Sequence, residues 1–230
     1  AEMDLVTAQI ASLLGVEPEE IIYTSGASES NNLALKGIVQ VSRHTGKHII
    51  STALEHSSVG GALSALQQQG CEMDLVDIGR DGRIDLEHLR ELLRRDTVLV
   101  SICAVDSELG TVQPIREIGK ILRDYPNCRL HVDATQAVGK TTLVLEVVDT
   151  MSIAPHKFYG LNGSGLLVKK KNLVIEPQIH GSSTTIYRSG TPALGLAVSI
   201  EKALELALGN QAERIAYVRG LNRRLRTALA

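Results

Sequence analysis

The sequence has few cysteines, and their spacing fits neither a disulfide framework nor a metal site. Its 230 residues contain three cysteines, Cys71, Cys103 and Cys128, with no CxxC pair among them. A small secreted domain held together by disulfides would need more of them. We therefore predict a reducing, cytoplasmic location, no metal site, and three small, buried, unreactive thiols.

An excess of positive charge and a long apolar segment are also lacking. The formal net charge is −2, whereas a nucleic-acid surface needs clustered positive charge. No stretch approaches the ~20 apolar residues of a membrane-spanning helix. Residues 1–4 do not resemble the start of a signal peptide. We therefore predict a globular protein that binds neither nucleic acid nor membranes.

Short apolar or β-branched segments alternate with segments of helical periodicity along the chain. This alternation predicts an α/β fold in which a mostly parallel sheet is covered by helices, giving three α/β/α layers. The apolar run 98–102 is typical of a buried strand. The other predicted strands are 21–24, 48–51, 72–76, 129–133, 148–153 and 165–168, and the clearest predicted helices are 57–69, 86–93 and 115–122.

From Pro192 onwards the pattern is helical, with a break at Gly209-Asn210. We predict a large domain over residues 1–191, lacking an N-terminal segment, and a helical bridge over residues 192–230. This bridge is expected to lead towards a small domain outside the chain, because helical periodicity continues to the last residues.

The loops that follow strands deserve the closest inspection, since ligands of open α/β sheets bind beyond the carboxyl ends of the strands. The first such loop, 25–28, has the sequence Ser-Gly-Ala-Ser and precedes a helix. Small residues allow backbone N–H groups to approach an anion at a helix N-terminus. A serine before a helix is also a common N-cap, so both interpretations stay open.

Two further loops carry an imidazole and a carboxylate. His56 follows the second strand, where it could stack on a planar ligand or serve as a hydrogen-bonded structural residue. Asp133 ends a predicted buried strand, where a carboxylate is costly without a cationic partner. A protonated pyridine nitrogen would be such a partner, whereas the alternative role is an N-cap.

The fourth loop, 154–160, contains Lys157. A lysine at the mouth of a sheet can lose its proton through desolvation and nearby cations, and can then form a Schiff base. Gly160, Gly163 and Gly165 predict a tight turn around it. An anion cradle, an imidazole, an acid and an amine, in this order, together match what pyridoxal phosphate requires.

These loops resemble those of the cysteine desulfurases, in the class V aminotransferase superfamily of fold-type I pyridoxal-phosphate enzymes. The resemblance runs along the whole chain, in six separated motifs that fall in family order. The matching segments are 24–32, 55–56, 108–114, 131–137, 156–160 and 188–191.

The resemblance implies roles around the cofactor ring. Lys157 is expected to hold the aldehyde covalently and later to move protons. Asp133 would pair with the pyridine nitrogen, Gln136 would donate a hydrogen bond on the ring-hydroxyl side, and His56 would stack over the ring. Lys157 and His56 are therefore the predicted catalytic residues.

The resemblance also implies phosphate ligands and an oligomer. Ala27, Ser28 and His156 are expected to bind the cofactor phosphate. Thr191 resembles the threonine that reaches the cofactor of the neighbouring subunit, which implies a homodimer with shared active sites.

The implied reaction takes sulfur from L-cysteine, leaving L-alanine and an enzyme persulfide for a sulfur-acceptor protein, as in iron–sulfur cluster assembly. The family's persulfide-forming cysteine lies well beyond Thr191, so we expect it outside this chain. Alternatives are a selenocysteine lyase, an aminotransferase, or a subunit that keeps the fold without the chemistry.

Three departures from the family pattern stand out. Asp106-Ser107 replaces two asparagines, and an aspartate there would repel an anion unless protonated. Ala154 replaces a serine and so removes one phosphate hydroxyl. The segment 180–185 is less glycine-rich than usual.

Overall fold

The computed structural model of the chain describes residues 2–181 and 186–229. Strands and helices alternate along this part of the chain. The strands are β1 (Ile21–Thr24), β2 (His48–Ser51), β3 (Glu72–Leu75), β4 (Thr97–Cys103), β5 (Arg129–Asp133), β6 (Thr150–Ile153) and β7 (Gly165–Lys169). The α-helices are α1 (Glu2–Leu14), α2 (Ala27–Ser42), α3 (Ser57–Gln68), α4 (Leu86–Leu92), α5 (Ile115–Leu122), α6 (Leu194–Gly209) and α7 (Gln211–Leu229), with 3₁₀ helices at Pro18–Glu20 and Pro155–Phe158.

The strands form one sheet in the order β1-β7-β6-β5-β4-β2-β3. Neighbours from β3 through β2, β4 and β5 to β6 pair in parallel. Strand β7 runs antiparallel to both β6 and β1. The predicted mostly parallel sheet is thus confirmed, and its parallel strands direct their carboxyl ends towards one edge.

Helices cover both faces of the sheet, as predicted. Neighbouring residues of one strand point into opposite cores, for example Leu166 into one and Leu167 into the other. One core contains side chains of α1, α4, α5 and α6, and the other contains those of α2 and α3. The result is a three-layer α/β/α arrangement, stabilised by apolar burial on both sides.

The two C-terminal helices differ in burial. Helix α6 buries Ala197, Ile200 and Leu204 in the core that also contains α1. Helix α7 has no buried residue. The predicted break at Gly209-Asn210 is confirmed, because α6 ends at Gly209 and α7 begins at Gln211.

Candidate active site

A cavity of about 600 Å³ lies where β2, β4, β5 and β6 end. This is the edge at which open α/β sheets bind their ligands. Of the predicted site residues, those that line the cavity are Ala27, Ser28, His56, Asp133, Gln136, His156 and Lys157. The fold therefore brings together loops that are far apart in the sequence.

The first wall of the cavity is the turn from Ser25 to the start of α2. Gly26 occupies the N-cap position and no side chain caps the helix, so simple capping by a serine is wrong here. A Cβ atom on Gly165 of β7 would lie 2.6 Å from Cα of Gly26. The turn thus packs directly on the sheet, with the first N–H groups of α2 at the cavity.

Asp133 is 5% exposed at the end of β5 and lines the cavity. Its Oδ1 accepts a hydrogen bond from the Thr135 N–H (2.9 Å), and its Oδ2 accepts one from Nδ2 of Asn31 (2.8 Å). Residues 135–140 form turns rather than a helix, so Oδ1 caps a turn. In the described part of the chain, no lysine or arginine forms a salt bridge with this carboxylate.

Asn31 is a site residue that the sequence reasoning did not single out. It is fully buried in α2, and its Nδ2 is also 2.9 Å from Oγ of Ser58. Its Oδ1 lies 3.0 Å from Nε2 of His131, whose Nδ1 lies 2.9 Å from Oγ1 of Thr150. Burial lowers the pKa of His131, although Asp133 opposes this effect, so the imidazole is neutral. In the sequence, His131 could have been noticed because it is a polar residue within a predicted buried strand.

His56 lines the cavity and also serves as the N-cap of α3. Its Nδ1 accepts a hydrogen bond from the Ser58 N–H (3.2 Å) and is 2.8 Å from Oγ of Ser58. His56 therefore caps α3 and lines the cavity at the same time. The bonds to Nδ1 fix the orientation of the ring.

Lys157 and His156 lie on the 3₁₀ helix that follows β6, with exposed side chains at the cavity. The residue after this helix, Tyr159, has a φ of 72°, in the left-handed region. A Cβ atom on Gly160 would lie 2.7 Å from Cβ of Pro155. The tight turn predicted around Lys157 is confirmed.

Gln136 is held by Lys140, whose Nζ donates a hydrogen bond to Oε1 (2.7 Å). Because the amide oxygen is engaged, the amide nitrogen is the end that can donate to a ligand. Burial and the charge of Lys157 lower the pKa of Lys140.

Glu55 lies just behind the cavity wall. Its Oε1 accepts hydrogen bonds from the Cys103 N–H (2.7 Å) and from Oγ1 of Thr52 (3.0 Å). Its Oε2 is buried and has no hydrogen-bond partner among the described residues. Burial, reinforced by the negative charge of Asp133, raises the pKa of Glu55 to about 8.

The three cysteines are buried and free, as predicted. Burial raises the pKa of Cys71 and Cys103 and raises that of Cys128 to about 12. Cys103 lines the cavity, yet a thiol in this setting is a poor nucleophile because the thiolate is the reactive form. Among the described residues, no three His, Cys, Asp or Glu side chains come together as a metal site.

The departures from the family pattern have structural counterparts. Asp106 is 5% exposed, and its Oδ1 accepts hydrogen bonds from the N–H groups of Glu108 and Leu109 (3.1 and 2.5 Å). Ser107, and not Asp106, lines the cavity, where Ala154 is also found. The carboxylate expected to repel an anion is thus used in a turn.

The segment that leads to Thr191 is anchored at two points. Arg188 donates from Nε to Oε1 of Glu29 (2.8 Å), and the ring centre of Tyr187 is 4.5 Å from Nζ of the buried Lys169. Thr191 itself is exposed and is not part of the cavity lining. Residues 182–185, part of the segment predicted to be less glycine-rich, lie outside the described residues.

Comparison with known proteins gives a consistent result. The family model described as aminotransferase class-V matches residues 1–229. The chain is 42% identical over 210 residues to a NifS/IcsS protein homolog of Lactobacillus delbrueckii subsp. bulgaricus, covering 90% of the chain and 54% of the relative. It is 40% identical over 222 residues to the mitochondrial cysteine desulfurase of Arabidopsis thaliana, covering 94% and 49%.

A solved structure of a NifS-like protein matches with a TM-score of 0.95 at 34% identity, covering 99% of this chain and 64% of that one. The chain spans about half the length of the curated relatives it matches. In the described part of the chain, no helix is long and apolar enough to cross a membrane.

Proposed function

Because the chain belongs to the class-V aminotransferase family, we propose that it is the cofactor-binding part of a pyridoxal-phosphate-dependent cysteine desulfurase. The proposed reaction converts L-cysteine to L-alanine and an enzyme persulfide that supplies a sulfur-acceptor protein. One observation carries the proposal: the buried Asp133 carboxylate and the Lys157 amine line the same cavity. The name cysteine desulfurase of the relative from A. thaliana supports this reaction within the family.

The residues around the cavity fit the cofactor. Asp133 is a buried carboxylate that needs a cation, and a protonated pyridine nitrogen supplies one. The N–H groups and positive dipole end of α2 suit a phosphate group. The cavity of about 600 Å³ is within the ~300–1,000 Å³ common for ligand sites.

Each side chain has a definable task in this proposal. Lys157 would hold the aldehyde carbon of the cofactor through Nζ, and its free amine could move a proton at the substrate Cα. Asp133 would keep the ring nitrogen protonated. When bound, the cofactor would supply an electron sink for the negative charge that develops at Cα.

The remaining side chains position the ring and the phosphate. The His56 imidazole would lie over the ring, and Nε2 of Gln136 would donate a hydrogen bond to the ring hydroxyl. Ser28, the Ala27 backbone and His156 would bind the phosphate. Stacking and charge-assisted hydrogen bonds of this kind fix the plane in which the proton is transferred.

The first test is an absorption titration with pyridoxal phosphate. We expect a visible band in the wild type, from the covalent bond to Nζ, that is absent in Lys157→Ala. Lys120→Ala, which removes an exposed lysine of α5, is the matched control and should keep the band. L-cysteine should then change the spectrum of the wild type.

Two outcomes would contradict the proposal. A band that survives in Lys157→Ala would mean that another amine holds the cofactor. A spectrum that loses its visible band with an amino donor such as L-glutamate but does not respond to L-cysteine would instead indicate an aminotransferase.

A further inference from the structure

A chain of hydrogen bonds behind the cavity joins two residues that face it. Asn31 binds Oδ2 of Asp133 (2.8 Å) and Oγ of Ser58 (2.9 Å) through its Nδ2. Ser58 in turn lies 2.8 Å from Nδ1 of His56. Helices α2 and α3 and the end of β5 therefore meet at one amide group, which is fully buried in α2.

The direction of each hydrogen bond follows from the carboxylate. An ionised Asp133 can only accept, so the NH₂ end of the Asn31 amide must face it. The second N–H of that NH₂ group then donates to Oγ of Ser58. Nδ1 of His56 also accepts from the backbone N–H of Ser58 (3.2 Å), so it carries no proton, and the Ser58 O–H must donate to it. A neutral His56 therefore carries its proton on Nε2.

The other end of the amide is equally constrained. Oδ1 of Asn31 can only accept, so His131 must donate to it from Nε2 across 3.0 Å. The neutral His131 then has an unprotonated Nδ1, which accepts from the hydroxyl of Thr150 at 2.9 Å. His131 thereby prevents the amide from turning over.

We propose that Asn31 is a positioning residue which, held by His131, orients the Asp133 carboxylate towards the ring nitrogen of the cofactor. Through Ser58, the same amide is hydrogen-bonded to the network that holds His56. The identity of the ring rests on the proposed function, whereas the direction of the hydrogen bonds does not.

The first experiment measures nitrogen NMR signals of the histidine side chains in the ligand-free protein. In the wild type, His56 and His131 should both show the Nε2–H tautomer. Asn31→Leu, of similar size but unable to hydrogen-bond, should change both sets of signals. Asn32→Ala is the matched control and should change neither. Asn32 is partly exposed, and its Nδ2 donates to the backbone oxygen of Ser28 and not to Asp133 or Ser58.

The second experiment compares binding of pyridoxal phosphate with that of an analogue whose ring nitrogen is replaced by CH. Asn31→Leu should weaken binding of pyridoxal phosphate about tenfold, as expected for a charge-assisted contact that loses its orientation. Binding of the analogue should change less than about twofold, since it has no ring nitrogen to pair with Asp133. In an Asp133→Ala background the Asn31 substitution should have no further effect on either ligand.

Ser58→Ala separates the contact with His56 from the contacts with Asp133 and His131. It also provides a second variant if Asn31→Leu fails to fold. It should change the His56 signals only and leave His131 as in the wild type. An Nδ1–H tautomer of His131 in the wild type, or an equal loss of affinity for both ligands in Asn31→Leu, would overturn the proposal. If the wild type takes up no pyridoxal phosphate, the proposed function fails and with it the cofactor half of this proposal, while the histidine signals still decide the other half.

Discussion

Glu55 is the residue whose ionisation should govern how stability changes with pH. Its pKa in the folded protein is about 8, above the ordinary 4.5, because burial disfavours the charged carboxylate. The stability that this group contributes is therefore full below pH 4.5 and is lost as the pH rises through 8. We expect the free energy of unfolding to fall by on the order of 4 kcal/mol over this range from Glu55.

Glu55→Gln should remove this pH dependence, because the amide keeps an acceptor for the Cys103 N–H and cannot ionise. The measurement is urea denaturation at several pH values between 4.5 and 9. Glu91→Gln, at an exposed position of α4, should retain the slope of the wild type. An unchanged slope in Glu55→Gln would show that other groups are responsible.

At the scale of single residues, the sequence reveals those whose chemistry is unusual for their position. Asp133 could be singled out because a carboxylate at the end of a buried strand needs a partner, and Lys157 because glycines surround it. Asn31 could not, since its partner Asp133 is 102 positions away and the contact depends on how α2 crosses the sheet. Asp106 and Ser107 are adjacent, and only the turn decides which one lines the cavity.

At the scale of secondary structure, the local pattern predicts most of the elements. The bounds of β2 and β5, His48–Ser51 and Arg129–Asp133, agree with the predicted strands, because β-branched and apolar runs between breaks are local signals. The antiparallel direction of β7 was not predicted. It follows from the short connection after β6, which contains a 3₁₀ helix and turns but no crossover α-helix.

Gly165 is where β7 packs against the turn from Ser25 to the start of α2. In Gly165→Ala, the new Cβ would lie 2.6 Å from Cα of Gly26 and 2.7 Å from Oγ1 of Thr24. The backbone must shift, so we expect a loss of about 1–3 kcal/mol in stability together with weaker binding of pyridoxal phosphate. Urea denaturation and the absorption titration measure the two effects.

Gly60→Ala provides the control for Gly165→Ala. Gly60 lies inside α3 and its added Cβ would meet no atom within 4 Å. This substitution should stabilise the protein by about 0.5–1 kcal/mol, because alanine loses less backbone entropy in a helix. If Gly165→Ala were as stable as Gly60→Ala, the turn would have room for the added methyl group, and the tight packing between Gly165 and Gly26 would be contradicted.

At the scale of the whole molecule, the shared-site homodimer remains a prediction with a direct test. If Thr191 serves the partner's cavity, each site takes its lysine from one subunit and its threonine from the other. Thr191→Ala and Lys157→Ala then damage contributions that come from different subunits. Mixing the two variants under conditions that allow subunit exchange should restore wild-type cofactor affinity in about one site in four. Absorption titration of the mixture measures this fraction.

Sedimentation of the unmixed proteins provides the control, because both variants should keep the oligomeric state of the wild type. A mixture with no restored site would place Thr191 at its own cavity or at none.

The pairing of β1 with β7 has a consequence for how the protein is synthesised. Ile21 lies opposite Val168, and Thr24, next to the turn that begins at Ser25, lies opposite Gly165. An early strand therefore cannot pair until a late strand has left the ribosome, and such non-local pairing is slow because a long loop has to close first. If this turn holds the cofactor phosphate as proposed, cofactor binding should come near the end of folding and stabilise the newly completed sheet.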